Sequence, residues 1–129
     1  MRPRSILLLL ALMSTIGFAN AKDLLIFGGP SHDVFLGCIS CSEYEADSVH
    51  NEYGLYGSAY SATSIFNDYG QYGSAYSMYS VCSEYATDPP VVVDDAGNFY
   101  GRLTRNAFLR DAIDDPEIVA WLRYAVCAD

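Results

Sequence analysis

A sixteen-residue phrase is written twice in succession, SVHNEYGLYGSAYSAT at 48–63 and SIFNDYGQYGSAYSMY at 64–79, with ten of sixteen positions identical. A third copy opens as SVCSEY at 80–85 and stops before the glycine half, and a fragment, CSEY at 41–44, stands in front. Tandem copies of this kind fold as stacked, equivalent units that share a core. A free-standing array needs about three full copies. Here there are barely two and a half, over 48–85, so the phrase is expected to form a short layer packed on flanking strands. Within a copy, Ser64 is suited to cap a helical turn over Ile65–Tyr69 and Gly70 to end it in a left-handed conformation. Tyr72–Ser77 alternates loosely, as an extended segment does. The expected unit is a turn of helix plus a short strand.

The flanks supply the strands. DLLIFGG (Asp23–Gly29) and DVFLGCI (Asp33–Ile39) are short apolar runs divided by a Gly-Gly-Pro-Ser turn. Asp88-Pro89-Pro90 ends the repeat. Val91–Val93, the turn Asp94-Asp95-Ala96-Gly97 and Asn98–Thr104 then read as a hairpin. Near the C-terminus Asp115 is an N-cap, with Pro116 at the first helical position and Glu117 behind it. Ile118, Trp121, Leu122, Ala125 and Val126 follow at helical spacing, which assigns Trp121 to the core. The fold class is α+β: a small disulfide-bonded domain of short strands and turns with a 16-residue internal repeat and a C-terminal helix.

Residues 1–21 read as a cleaved signal peptide: Arg2 and Arg4, an apolar run over Ile6–Phe18, and the small-x-small site Ala19-Asn20-Ala21. The run is shorter than the ~20 residues of a membrane span, and no later segment is longer. Phe35-Leu36-Gly37-Cys38 resembles an acylation box but does not directly follow the apolar run. The expected product is one exported domain, 22–129, periplasmic or extracellular, without stable membrane insertion. It has 129 − 21 = 108 residues, one domain by length.

Four cysteines in an oxidising compartment, Cys38, Cys41, Cys82 and Cys127, imply two disulfides. Three pairings are open, and spacing does not choose among them. Cys38–Cys41 with Cys82–Cys127 is favoured because the second bond would tie the last helix to the repeat. A redox reading of Cys38-Ile-Ser-Cys41 fits poorly, since such sites open a helix after a strand and this one closes an apolar run.

Charge narrows the partners. Without Arg2 and Arg4 the balance is 5 − 16 = −11, and from Asp23 to Gly101 there are eleven acids and no Lys or Arg. Such a surface repels nucleic acid and anionic lipid and suits a cationic partner or a divalent ion. Glu52 and Asp68, at the same place in successive copies, are the weak Ca²⁺ candidates; Ca²⁺ needs six to eight oxygens. No other metal or cofactor is implied. Asp94–Asn98 fails as an EF-hand, because its third position is Ala96 and its twelfth Arg105. Two histidines and four paired cysteines argue against zinc, and Gly28-Gly29-Pro30 lacks the rest of a nucleotide loop.

Nine of eleven tyrosines lie between Tyr44 and Tyr85. Each offers a flat apolar face and a hydroxyl, suited to stacking sugars or gripping a protein. Tyr53/Tyr69/Tyr85, Tyr56/Tyr72 and Tyr60/Tyr76 form columns across the copies; at least one column is expected to make core. Tyr56 and Tyr72, flanked by glycines, are the pair most expected at the surface. Catalytic material is sparse. His32 and His50 are the only histidines, and consecutive Ser31-His32-Asp33 side chains diverge where a triad must converge.

His32–Cys38 (HDVFLGC), the YGxYGS copies of Ser48–Ser77 and the stretch Pro89–Gly101 (PP-hydrophobic-DxxGNFYG) resemble a family of small exported bacterial proteins. The likeness spans roughly Gly28 to Arg105. It implies export and one shared fold, and assigns no activity or residue role. Cys82 departs from that pattern, whose repeats often carry an apolar or aromatic residue there. The sequence therefore favours a non-enzymatic extracytoplasmic binding or cell-envelope protein, with a tyrosine-rich surface for a protein or glycan. The alternative is a small secreted hydrolase using His32 or His50. The sequence leaves the oligomeric state open.

Overall fold

The structure, a computed structural model, describes residues 22–128; the expected signal peptide lies outside them. Four strands, β1 (Leu24–Gly28), β2 (Val34–Cys38), β3 (Val91–Asp94) and β4 (Phe99–Arg102), form one antiparallel sheet in the order β2-β1-β3-β4. A short helix, α1 (Pro116–Trp121), runs on into one π-helical turn at Leu122–Val126. Two disulfides, Cys38–Cys41 and Cys82–Cys127, complete a small α+β domain. No described helix is long and apolar enough to cross a membrane.

The sheet has an internal two-fold. At its centre Ile26 lies opposite Val92, both fully buried, with Leu25 opposite Val93 and Phe27 opposite Val91. The outer ladders correspond: the register slips between Ile26 and Phe27 on one side and between Val92 and Val93 on the other. Gly37 stands opposite Ile26 and Gly101 opposite Val92, with φ of 118° and 133°. At both, a Cβ would lie 2.7 Å from an aliphatic side chain crossing back over the strand, Val49 or Ile113. One residue further on, Cys38 bridges to Ser48 and Arg102 to Ala112, both parallel. On the outer strands and beyond, matching positions differ by 102 − 38 = 112 − 48 = 64 residues, and at the centre Ile26 and Val92 by 92 − 26 = 66. Both outer strands thus have part of their free edge covered by the segment that follows them, which blunts edge-to-edge pairing.

The expected helix-plus-strand unit is not what forms between β2 and β3. That segment contains neither helix nor extended strand; it is a succession of turns. The amides of Glu45, Ser48, Asn51 and Gly54 each donate to the carbonyl three residues back, and Ser58 donates four back to Gly54. The sequence of steps repeats with Ser61, Ser64, Asn67 and Gly70, then Ser74 to Gly70. Four steps of three and one of four make the sixteen-residue period. Helix loses because Ser or Asn opens most turns and its side-chain oxygen captures the amide two residues on, a local bond that competes with the helical ladder. Ser64, read from the sequence as a helix cap, makes that bond to Phe66 at 3.1 Å, and no helix follows.

Three wholly buried serines, Ser48, Ser64 and Ser80, make this bond to His50, Phe66 and Cys82. Beside them Val49, Ile65 and Val81 point inward at 0–1% exposure and join Ile26, Leu36, Val92 and Leu103 in the core. At the far end, one Asp115 carboxylate oxygen accepts from the Glu117 and Ile118 amides and starts α1. Leu122 and Val126 close the core from that side.

The β3–β4 hairpin is held by one carboxylate. Asp94 Oδ1 accepts from the amides of Ala96 and Asn98, and Oδ2 from the Asn98 side chain and the Tyr100 hydroxyl, at 2.8–2.9 Å. These bonds, the Asn98 side chain foremost, hold its pKa down to about 2 against an ordinary 3.8. A depressed value means stability that is present above the ordinary value and lost as pH falls through the folded one. The hairpin is therefore expected to loosen between about pH 4 and pH 2. Amide exchange at Asn98 should report it, and Asp94→Asn should remove that pH dependence.

Candidate functional site

Six tyrosines, Tyr44, Tyr53, Tyr60, Tyr69, Tyr76 and Tyr85, are 85–98% exposed. All stand at one place in the turns: the amide of each donates to a Ser or Asn side-chain oxygen two residues earlier, at 3.0–3.2 Å. Phe108, 98% exposed, makes the same bond to Asn106. The turn holds the third residue's backbone while its ring projects away from the core. Asn51 and Asn67 do more, since their Nδ2 groups also donate to the Glu45 and Ser61 carbonyls six residues back. Seven rings are presented on backbone that hydrogen bonds pin in place.

Of the tyrosines singled out in the sequence, Tyr60 and Tyr76 are in this exposed set. Tyr56 and Tyr72, expected at the surface, are not. Tyr72 is only 7% exposed and packs against Gly28 and Leu36, while half-buried Tyr56 meets Phe35 edge-to-face at 4.9 Å. Their flanking glycines are the cause. Gly57 and Gly73 let the chain cross its own backbone without a Cβ, which presses the preceding ring into the sheet. Burial, with the charge of Asp33 adding to it, raises the Tyr72 pKa above the ordinary 10.

The first two copies and the C-terminal helix enclose a depression of about 820 Å³. Tyr53 and Tyr60 stand on one side, Phe66 and Trp121 form the floor, and Glu52 and Asp68 contribute carboxylates. The floor is continuous: the Trp121 ring lies 5.8 Å from His50 and 6.3 Å, edge-on, from Phe66. Trp121, assigned to the core by its spacing, packs against the core and is also partly open to this depression. Tyr53 and Tyr60 also line a second hollow of about 650 Å³ on their other side, so they form a ridge between two concavities.

Both histidine rings hydrogen-bond backbone carbonyls; exposed His50 also lines the depression, while His32 lies outside it. His50 Nε2 donates to the Ile39 carbonyl at 2.7 Å; His32 Nε2 lies 3.1 Å from the Pro89 carbonyl and 3.1 Å from Asp88 Oδ1. Among the described residues, no serine or threonine hydroxyl is hydrogen-bonded to either ring. Glu52 and Asp68 share the depression, but no further His, Cys or carboxylate joins them in a three-ligand cluster. The one such group among the described residues is Asp23, Cys38 and Cys41, whose sulfurs are in a disulfide and offer no thiolate.

Comparison with protein-family models, curated proteins and solved structures returns no match. What the site can do rests on its own geometry.

The sequence columns Tyr53/Tyr69/Tyr85 and Tyr60/Tyr76 hold five of these seven rings; Tyr44 and Phe108 were not singled out as part of the set. Ser or Asn two residues before an aromatic occurs at every one of the seven positions, nested inside the longer period. The same spacing at Ser64–Phe66 and Ser77–Tyr79 makes the same bond with rings that are only partly exposed, so it marks the turn and not the exposure.

Proposed function

We propose that this is a non-enzymatic exported binding protein whose tyrosine-rich turns hold a glycan or protein partner. In this reading the sixteen-residue copies act as equivalent layers. Each contributes one buried Ser-Val or Ser-Ile anchor and, in the two full copies, two outward rings. The observation that carries the reading is the exposure of six equivalent tyrosines. Solvent-facing aromatic surface on this scale is uncommon on a monomer and marks an interaction site. Tyrosine supplies large contact area at low entropic cost, and pinned turns reduce the ordering cost further. Two disulfides fit an oxidising compartment, as does the family resemblance.

The test is the double variant Tyr53→Ala/Tyr60→Ala, screened against an immobilised oligosaccharide panel with neutral, acidic and amine-bearing members. Both rings are 93% exposed, so the melting temperature should stay within a few degrees while binding falls by about tenfold or more. Undiminished binding would sink the reading. Tyr72→Ala makes the contrast: it removes a core ring and should cost about 3–5 kcal/mol of stability, measured by urea denaturation.

A further inference from the structure

We infer that the depression between the first two copies and the C-terminal helix takes a glycan bearing free amines, such as an oligomer of glucosamine. The inference rests on the binding reading above and adds the ligand's class and charge. The lining is chiefly of two kinds, with the His50 imidazole, held by the Ile39 carbonyl, beside them. Tyr53, Tyr60, Phe66 and Trp121 offer ring faces, and Glu52 and Asp68 offer carboxylates. Ring faces stack on the C–H faces of sugars and attract ammonium groups through their quadrupole. The carboxylates decide the sign of the ligand. No Lys or Arg lies between Asp23 and Gly101, and the cavity that Arg105 and Arg123 line is a different one. An acidic glycan would meet repulsion there, and a neutral one would offer the carboxylates hydroxyl donors but no opposite charge. An amine pairs with them.

Periodicity supports a polymer over a single cation. Glu52 and Asp68 occupy the same position in successive copies, and both line the depression with Tyr53, Tyr60, Phe66 and Trp121. Two carboxylates and several rings in one site suit a ligand with more than one amine and more than one sugar ring. A lysine-rich peptide offers the amines without the rigid apolar C–H faces on which exposed aromatic rings are suited to stack.

The experiment is titration calorimetry of the oxidised mature protein with three probes: a glucosamine hexamer, its fully N-acetylated counterpart, and hexalysine. The glucosamine hexamer should bind at least about tenfold more tightly than the acetylated one. Its binding should weaken between about 50 and 500 mM NaCl as charge is screened. Glu52→Gln/Asp68→Asn should bring it down to the acetylated level, and Tyr53→Ala/Tyr60→Ala should weaken both sugars. Equal affinity for the two sugars, lost in the tyrosine variant, would overturn the amine and leave the binding reading standing. Sugar binding unchanged in the tyrosine variant would overturn the binding reading itself. Tighter hexalysine than hexamer would overturn the glycan, and no binding by any probe would overturn the proposal. A rise in melting temperature on the order of 10 °C with Ca²⁺, abolished in the carboxylate variant, would give those acids to a metal and overturn it equally.

Discussion

Alanine at Gly57 or Gly73 is expected to destabilise the domain by at least about 3 kcal/mol, the upper range for forcing atoms into a packed site. Alanine at both should cost about 6 kcal/mol or more, a large share of a total stability of about 5–15 kcal/mol. These are the second glycines of the two YGxYG phrases. A Cβ on Gly57 would fall on the Asn51 carbonyl and lie 2.8 Å from the Val49 oxygen; on Gly73 it would fall on the Asn67 carbonyl, 2.6 Å from the Ile65 oxygen. Backbone cannot swing aside as a side chain can. The first glycines provide the control. At Gly54 and Gly70 the nearest atoms belong to the Asn51 and Asn67 side chains, at 3.2 Å, so alanine there should cost about 1 kcal/mol or less. Denaturant midpoints of the four single variants check the contrast. Equal losses at first and second glycines would refute the crossing.

That crossing also explains what could be read in the sequence and what could not. The strands, the hairpin turn at Asp94–Gly97 and the cap at Asp115 were legible because each is decided locally, by apolar runs, turn residues and a helix start. The turns were not. Ser64 before Ile65 looks the same whether its hydroxyl caps a helix or closes one turn in a series, and only the neighbouring turns decide. Tyr72 was misplaced for a related reason: glycines beside it suggested a loose, open stretch. Here glycine marks close approach, and close approach drives the ring inward. The sheet's two-fold escaped notice because few identities record it. Phe35 and Phe99, Gly37 and Gly101, and Asp47 and Asp111 are shared at a separation of 64, while Val49 answers to Ile113 and Tyr44 to Phe108 only by type.

The two-fold bears on the site. Beyond β2 the chain continues into the repeat, and Tyr56 packs against Phe35 over that half of the sheet. Beyond β4 no repeat follows. The matching region beside Gly101 is a groove, with Phe99 and Tyr100 about half exposed. One half of a near-symmetric scaffold thus carries the tyrosine-bearing copies, and the depression lies where those copies meet the C-terminal helix. Whatever holds that helix in place also shapes the depression.

The Cys82–Cys127 bond is what holds it. It links cysteines 45 residues apart, and closing a loop of that length is worth about 4 kcal/mol in the chain-entropy account, against about 2 kcal/mol for the three-residue span of Cys38–Cys41. Cys82→Ser/Cys127→Ser should accordingly lower stability by about 4 kcal/mol. The loss should begin at the C-terminus, because a six-residue helix and one π turn cannot persist alone in water. Their only large anchors in the core are Leu122 and Val126, each 4% exposed, with Trp121 and Ile118 packed alongside. Trp121 is the only tryptophan in the chain, so its fluorescence reports this region alone. In the double-serine variant its emission should shift to the red at temperatures where the sheet's circular dichroism is still native, and glycan binding should fall with it, since Trp121 is the floor of the depression. Emission that moves only together with the circular dichroism would mean that the helix and sheet form one cooperative unit without the bond. In that case the disulfide stabilises the whole domain and does not specifically hold the site.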